Sequence, residues 1–167
     1  MENKVRVGVI GCGAIGRDHI RRLTGLVAET EVVAVADFVP EAAQKVAEQY
    51  GIKCYATGEE LIAAPEVDAV LITSADPSHA GYVLECLKHK KYVFCEKPLA
   101  QTAADCEKIM QAELACGKRL VPVSYTHLDV YKRQPLNWTD SRVSVCFYSI
   151  CVDEAFNGQL ASVCRLV

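Results

Sequence analysis

The chain has 167 residues, a hydrophobic fraction of 51%, a charged fraction of 23% and a formal net charge of −3. That length allows one domain with a core of its own, or one domain and a remnant, and the composition is that of an ordinary soluble globular protein. The small negative charge gives no electrostatic reason to expect nucleic acid or an anionic membrane surface as partner. No apolar run reaches the length of a membrane helix, and Met1–Arg6 carries no secretory h-region, so a cytoplasmic location is expected.

Nine cysteines include no C-x-x-C pair. Cys12, Cys54, Cys86, Cys95, Cys106 and Cys116 fall within expected elements or a glycine loop. They read as small buried apolar residues in a reducing compartment, with neither a disulfide framework nor a metal site implied.

In chain order, Val5, Val7, Val9 and Ile10 make an apolar run that stops at Gly11. Gly11-Cys12-Gly13-Ala14-Ile15-Gly16 then follows as Gly-x-Gly-x-x-Gly, and Ile15, His19 and Leu23 recur at helical spacing. This is strand, tight turn, helix. Gly11 makes the turn, Gly13 lets a pyrophosphate touch bare backbone, and Gly16 lets helix and strand pack closely. The N–H groups at the helix start, Ala14 and Ile15 among them, hold phosphate without a Lys or Arg. Residues 31–37 form a second apolar strand ending in Asp37, about 20 residues past the glycines, where a carboxylate grips both ribose hydroxyls.

Pro40–Tyr50 has helical spacing with Gly51 as its C-cap, Lys53–Tyr55 is a short strand, and Glu59–Ala63 a short helical piece. Val67–Thr73 is an apolar run typical of a strand covered on both faces. Ser78–His89 reads as helix and Tyr92–Cys95 as a fifth strand running into Glu96-Lys97-Pro98. A further helix starts at Thr102, with Asp105 as its capping partner, and ends at Cys116-Gly117. Arg119–Val123 is a sixth strand that Pro122 weakens. Strand alternating with helix predicts an α/β fold, a doubly wound parallel sheet of Rossmann type. In such sheets ligands sit at the carboxyl ends of the strands, and there fall the glycine loop, Asp37, Thr73-Ser74 and Glu96-Lys97-Pro98.

The glycine fingerprint, the acid-ended second strand and the strand-end Glu-Lys-Pro together resemble the Gfo/Idh/MocA oxidoreductases. Within that family, residues 11–16, 68–73 and 92–100 are most similar to its inositol-oxidising branch. The resemblance runs to about residue 121. It implies an NAD-binding domain over residues 1–121, with Lys97 as a catalytic lysine near the nicotinamide and the substrate hydroxyl that loses its proton. It also implies a cofactor site of Gly11, Gly13, Ala14, Ile15, Gly16, Asp37, Thr73, Ser74, His79, Glu96 and Lys97. Read on residues alone, His79 is equally a surface histidine near a helix N-terminus, and Lys97 could merely pair with Glu96. The reaction implied is hydride transfer from a cyclic polyol or sugar hydroxyl to NAD. Asp37 repels a 2′-phosphate, and Phe38-Val39 offer it no cation, which favours NAD over NADP. Ala75 departs from the bulky residue that related inositol enzymes carry there, which bears on substrate more than on cofactor.

Family members continue into an α/β substrate domain that supplies an Asp-x-x-x-His pair and often the homo-oligomer contacts. No such pair follows residue 121 here. Residues 129–134, Asp-Val-Tyr-Lys-Arg-Gln, resemble the in-frame translation of a transposon mosaic end used in sequencing libraries. The expectation is therefore that residues 122–167 are non-native, that the native frame is cut near Val121–Val123, and that this chain binds NAD without turnover. The alternative, a natural extension, finds one amphipathic strand in Arg142–Phe147. Two other functional readings stay open: a stand-alone NAD-binding or redox-sensing module, and a methyltransferase on the same sheet, in which Glu-Lys-Pro has no role.

Overall fold

The computed structural model describes residues 4–117 and 120–122. The readings of residues 123–167, adaptor-like string and amphipathic strand alike, lie outside the described residues. In order, the elements are β1 (Val5–Ile10), α1 (Ala14–Gly25), β2 (Thr30–Ala36), α2 (Pro40–Tyr50), β3 (Lys53–Cys54) and α3 (Gly58–Ala63). Then come β4 (Ala69–Ile72), α4 (Asp76–Lys88), β5 (Tyr92–Cys95), α5 (Ala103–Cys116) and β6 (Leu120–Pro122).

All six strands run parallel in the order β3-β2-β1-β4-β5-β6. The chain works outward from β1 to β3, crosses back over the sheet to lay β4 against β1, and then works outward again to β6. The seam between β1 and β4 is the switch point, where a doubly wound sheet opens a crevice at its carboxyl edge. Among the described residues β6 is an edge, the position where a strand tolerates a proline such as Pro122.

Each face of the sheet carries its own core. Val5, Val7, Val9 and Val35 meet Ile20 and Leu23 of α1 and Ala43 and Val46 of α2. On the other face Ile10, Ala34, Val70 and Ile72 meet α3, α4 and α5 through Leu61, Ile62, Val83, Leu87 and Ile109. Burying one side chain such as Ile20 removes enough apolar area to stabilise by about 2 kcal/mol. The β1–β2 register slips between Val7 and Gly8, which leaves Val33 as an extra residue and turns Val33 and Ala34 to the same core.

The caps follow the expected chemistry. Gly51 and Gly117 end α2 and α5 in left-handed geometry (φ +65° and +87°). Thr102 Oγ1 accepts from the Asp105 N–H at 3.1 Å and donates to its carboxylate at 2.7 Å. At the amino edge, Arg6 on β1 and Asp68 before β4 form a two-pronged ion pair (2.8 and 2.7 Å). Boundaries differ from expectation by two residues in two places and by no more than one elsewhere among the described residues. The β4 ladder begins at Ala69, two residues late, because Val67 and Asp68 serve the core and the Arg6 pair. Helix α4 begins at Asp76, two residues early, since Pro77 sits in its first turn, where a missing N–H costs nothing.

Candidate functional site

The turn after β1 is shaped by what glycine lacks. Gly11 has φ +104°, and a Cβ there would lie 2.5 Å from the Thr73 carbonyl carbon. On Gly16 a Cβ would lie 1.9 Å from the Gly11 carbonyl oxygen, so the helix start and the turn are in backbone contact. Gly13 differs: a Cβ there would meet no atom of the protein within 4 Å, because its open side is the crevice. Gly13 is also the N-cap of α1, with no side-chain capping bond and no acid in the first turn. The first N–H groups of a helix have no intrahelical partner. Here the space beside Gly13 is open and Ala14 and Ile15 are exposed, which leaves these N–H groups accessible to a phosphate. Ile15, spaced as part of the buried stripe of α1, is 54% exposed because it stands at this opening.

Asp37 ends β2 half-buried beside that loop. One carboxylate oxygen accepts from the Cys12 N–H (2.5 Å) and the other from the Val39 N–H (2.8 Å), so its orientation is set before any ligand arrives. Each oxygen keeps a lone pair for a ribose hydroxyl. Phe38, next to it, is fully exposed.

Across the seam, Thr73 faces the turn. Its hydroxyl lies 2.7 Å from the Gly11 carbonyl and 3.2 Å from that of Ile10, so it braces the glycine loop. Ser74 Oγ donates to Ser78 Oγ (2.6 Å), which itself donates to the Ala75 carbonyl (2.7 Å). His79 is 1% exposed and so is not a surface histidine. Its Nδ1 lies 2.7 Å from the Pro98 carbonyl oxygen and its Nε2 2.9 Å from that of Ser74.

Glu96-Lys97-Pro98 leaves the end of β5, with the Lys97–Pro98 peptide cis. The Glu96 side chain turns inward. Oε1 accepts from His19 Nε2 (2.9 Å), and Oε2 accepts from the Lys97 backbone N–H (3.2 Å). Lys97 itself is exposed at the carboxyl edge. Among the described residues the Glu96 carboxylate is hydrogen-bonded to His19 and forms no ion pair with the Lys97 amine. The site therefore includes a residue that sequence reasoning placed only on the face of α1: His19, 8% exposed. A signal existed, since a titratable residue in an apolar stripe needs a buried partner.

Of the six cysteines expected to be buried, Cys12, Cys86 and Cys95 are, whereas Cys54, Cys106 and Cys116 are only half-buried. Burial first, and the Asp37 charge second, push the Cys12 thiol up to about 12, so it brings no nucleophile to the glycine loop. Among the described residues there is no group of three or more His, Cys, Asp or Glu that could hold a metal ion, and no helix long and apolar enough to cross a membrane.

Residues 5–125 match the Gfo/Idh/MocA oxidoreductase family, NAD-binding Rossmann fold. The chain belongs to this family. Over 123 residues it is 51% identical to an inositol 2-dehydrogenase of Burkholderia cenocepacia, covering 72% of this chain and 36% of that protein. Inositol 2-dehydrogenase 3 of Saccharopolyspora erythraea is 51% identical over 121 residues, with the same coverage. Among solved structures, myo-inositol dehydrogenase from Lactobacillus casei in complex with NAD(H) and myo-inositol superposes with a TM-score of 0.69 at 39% identity. That match covers 71% of this chain and 36% of that one. This Gfo/Idh/MocA chain thus spans about a third of the length of the curated relatives it matches, namely their nucleotide-binding part.

Proposed function

We propose that this chain is the nucleotide-binding part of a dehydrogenase that oxidises a ring CH–OH of a cyclic polyol of the inositol type, with NAD as hydride acceptor. The observation that carries the reading is the juxtaposition at the β1–β4 seam: an uncapped helix N-terminus over an open glycine, with a pre-oriented carboxylate beside it. Pyrophosphate lies against Gly13 and the N–H groups of Ala14, Ile15 and Gly16, and the two adenosine ribose hydroxyls meet Asp37. Thr73 holds the turn in shape, and Ser74 continues the wall toward Glu96-Lys97-Pro98.

Bound NAD supplies the hydride acceptor. Lys97, exposed at the same edge, bonds the substrate hydroxyl and accepts or relays its proton. Inositol as substrate is supported by the relatives at 51% identity. The preference for NAD rests on Asp37, whose charge opposes a 2′-phosphate, and on Phe38 and Val39, which supply no cation.

Titration calorimetry of the 167-residue chain with NAD and NADP tests this. NAD binds, and NADP binds at least about tenfold more weakly, a difference of about 1.4 kcal/mol. Asp37→Asn narrows that gap. Equal affinity for the two nucleotides would refute the cofactor assignment, and preferential binding of S-adenosylmethionine would refute the reaction class.

A further inference from the structure

We propose that His19 and His79 are a pair of positioning residues that hold Lys97 in place from two different helices. The inference rests on the reading above, in which Lys97 stands at the nicotinamide and the reacting hydroxyl. Lys97 has one neighbour on each side, and each is held by a buried histidine. On one side the Glu96 carboxylate is held by His19 Nε2 at 2.9 Å, and its second oxygen takes the Lys97 N–H at 3.2 Å. On the other side the Pro98 carbonyl lies 2.7 Å from His79 Nδ1.

Neither histidine is itself loose. The His19 ring stands edge-on to Phe94 of β5, with centroids 6.2 Å apart and planes at 75°. The other His79 ring nitrogen lies 2.9 Å from the Ser74 carbonyl, so the ring sits between the loops after β4 and β5. A neutral ring donates to one of the two carbonyls, and the Nδ1–H tautomer gives that bond to Pro98. The backbone between them is pinned by the Glu96 N–H, which donates to the Ile72 carbonyl at 2.9 Å.

These groups are a costly way to fill a core. Buried polar side chains stabilise only when fully hydrogen-bonded, and apolar side chains of similar volume are often as good or better. What the polar set adds is direction. A lysine has four flexible side-chain bonds, and fixing its backbone on both sides sets the Cα–Cβ direction from which its amine reaches out. The His19 link has a second consequence, because α1 also presents its N-terminus to phosphate. Gly16, at the glycine turn, and His19, at Glu96, are three residues apart on one rigid helix. Helix α1 therefore joins the glycine turn to the residue beside Lys97.

The test is competitive acetylation of lysines in the 167-residue chain, read residue by residue by mass spectrometry, with and without NAD. At NAD about a hundred times its Kd for each variant, labelling of Lys97 slows about tenfold or more in the wild type, as mass action requires for a covered amine. Lys45, exposed on α2, keeps its rate. His19→Leu and His79→Leu bring the protection of Lys97 below about threefold even with the site filled. His79→Asn, whose amide N–H stands where Nδ1 does, restores most of the protection.

Full protection in a folded leucine variant overturns the proposal. So does failure of asparagine to restore it, because the loss would then come from packing. If a leucine variant does not fold, Glu96→Met carries the test: it nearly keeps the volume but removes the acceptor for the Lys97 N–H, and unchanged protection there overturns the anchoring. Absence of protection in the wild-type chain is a different failure, since it refutes the placement of Lys97 at the nicotinamide.

Discussion

Gly13 and Gly16 stand three residues apart in one motif, and the structure assigns them opposite sensitivities. A methyl group on Gly16 would sit 1.9 Å from the Gly11 carbonyl oxygen and 2.7 Å from Thr73 Oγ1, so backbone must move to admit it. Forced repacking of that kind costs about 1–3 kcal/mol. At roughly 4 °C per kcal/mol for a domain of this size, Gly16→Ala lowers the Tm by about 4–12 °C. A methyl group on Gly13 meets nothing within 4 Å, and the backbone there (φ −67°) suits any residue. Losing glycine at an N-cap costs some stability, while the stiffer unfolded chain returns some, so Gly13→Ala leaves stability within about 0.5 kcal/mol of wild type.

The methyl of Gly13→Ala nevertheless enters the space where the proposed function puts pyrophosphate, and NAD affinity is expected to fall at least about tenfold, or about 1.4 kcal/mol. Thermal melting followed by circular dichroism, paired with NAD titration calorimetry, reads both quantities. Wild-type NAD affinity in Gly13→Ala, or a wild-type Tm in Gly16→Ala, would refute the reasoning.

Thr102→Ala removes the acceptor for the Asp105 N–H and destabilises by about 1 kcal/mol, measured by urea unfolding. Arg6 holds the Asp68 carboxyl below its ordinary 3.8, mainly by hydrogen bonding. A depressed carboxyl contributes stability that is complete above the ordinary value and is lost as pH falls through the lowered one. Asp68→Asn therefore flattens the acid limb of a pH–stability curve below about pH 4 and leaves its course above that range unchanged. Both side chains are about two-fifths exposed, so the difference stays under about 1 kcal/mol. Cys12 and Cys95, with thiols pushed up to about 12 by burial, and Cys86, raised by the same cause, resist iodoacetamide at pH 8 until the chain is unfolded. Peptide mapping after labelling checks this.

Much of the architecture was readable from local chemistry. Val5 to Ile10 stopping at Gly11, Gly51 and Gly117 past helix ends, and Thr102 with Asp105 are signals that span a few residues and depend on nothing distant. The same holds for the gathering of the glycine loop, Asp37, Thr73-Ser74 and Glu96-Lys97-Pro98, because strand ends in an alternating βα chain share one edge. Illegible was anything set by direction across the sheet. That Thr73 spends its hydroxyl on Gly11, and that Glu96 turns inward to His19, depends on partners 62 and 77 residues away. His79 shows the limit most plainly. Its position in the first turn of α4 fits an exposed or a buried ring equally, and only the packing of the loop after β5 decides.

The seam between β1 and β4 gives nucleotide binding a further use. The chain visits β2 and β3 before β4 returns to complete the Gly11–Thr73 contact, so the first half of the sheet carries the glycine turn and the second half braces it. On the proposed function, nucleotide affinity thus reports whether the brace has formed. A chain severed between α3 and β4 parts Gly11 from Thr73, so recombining the two pieces is a complementation test of that contact.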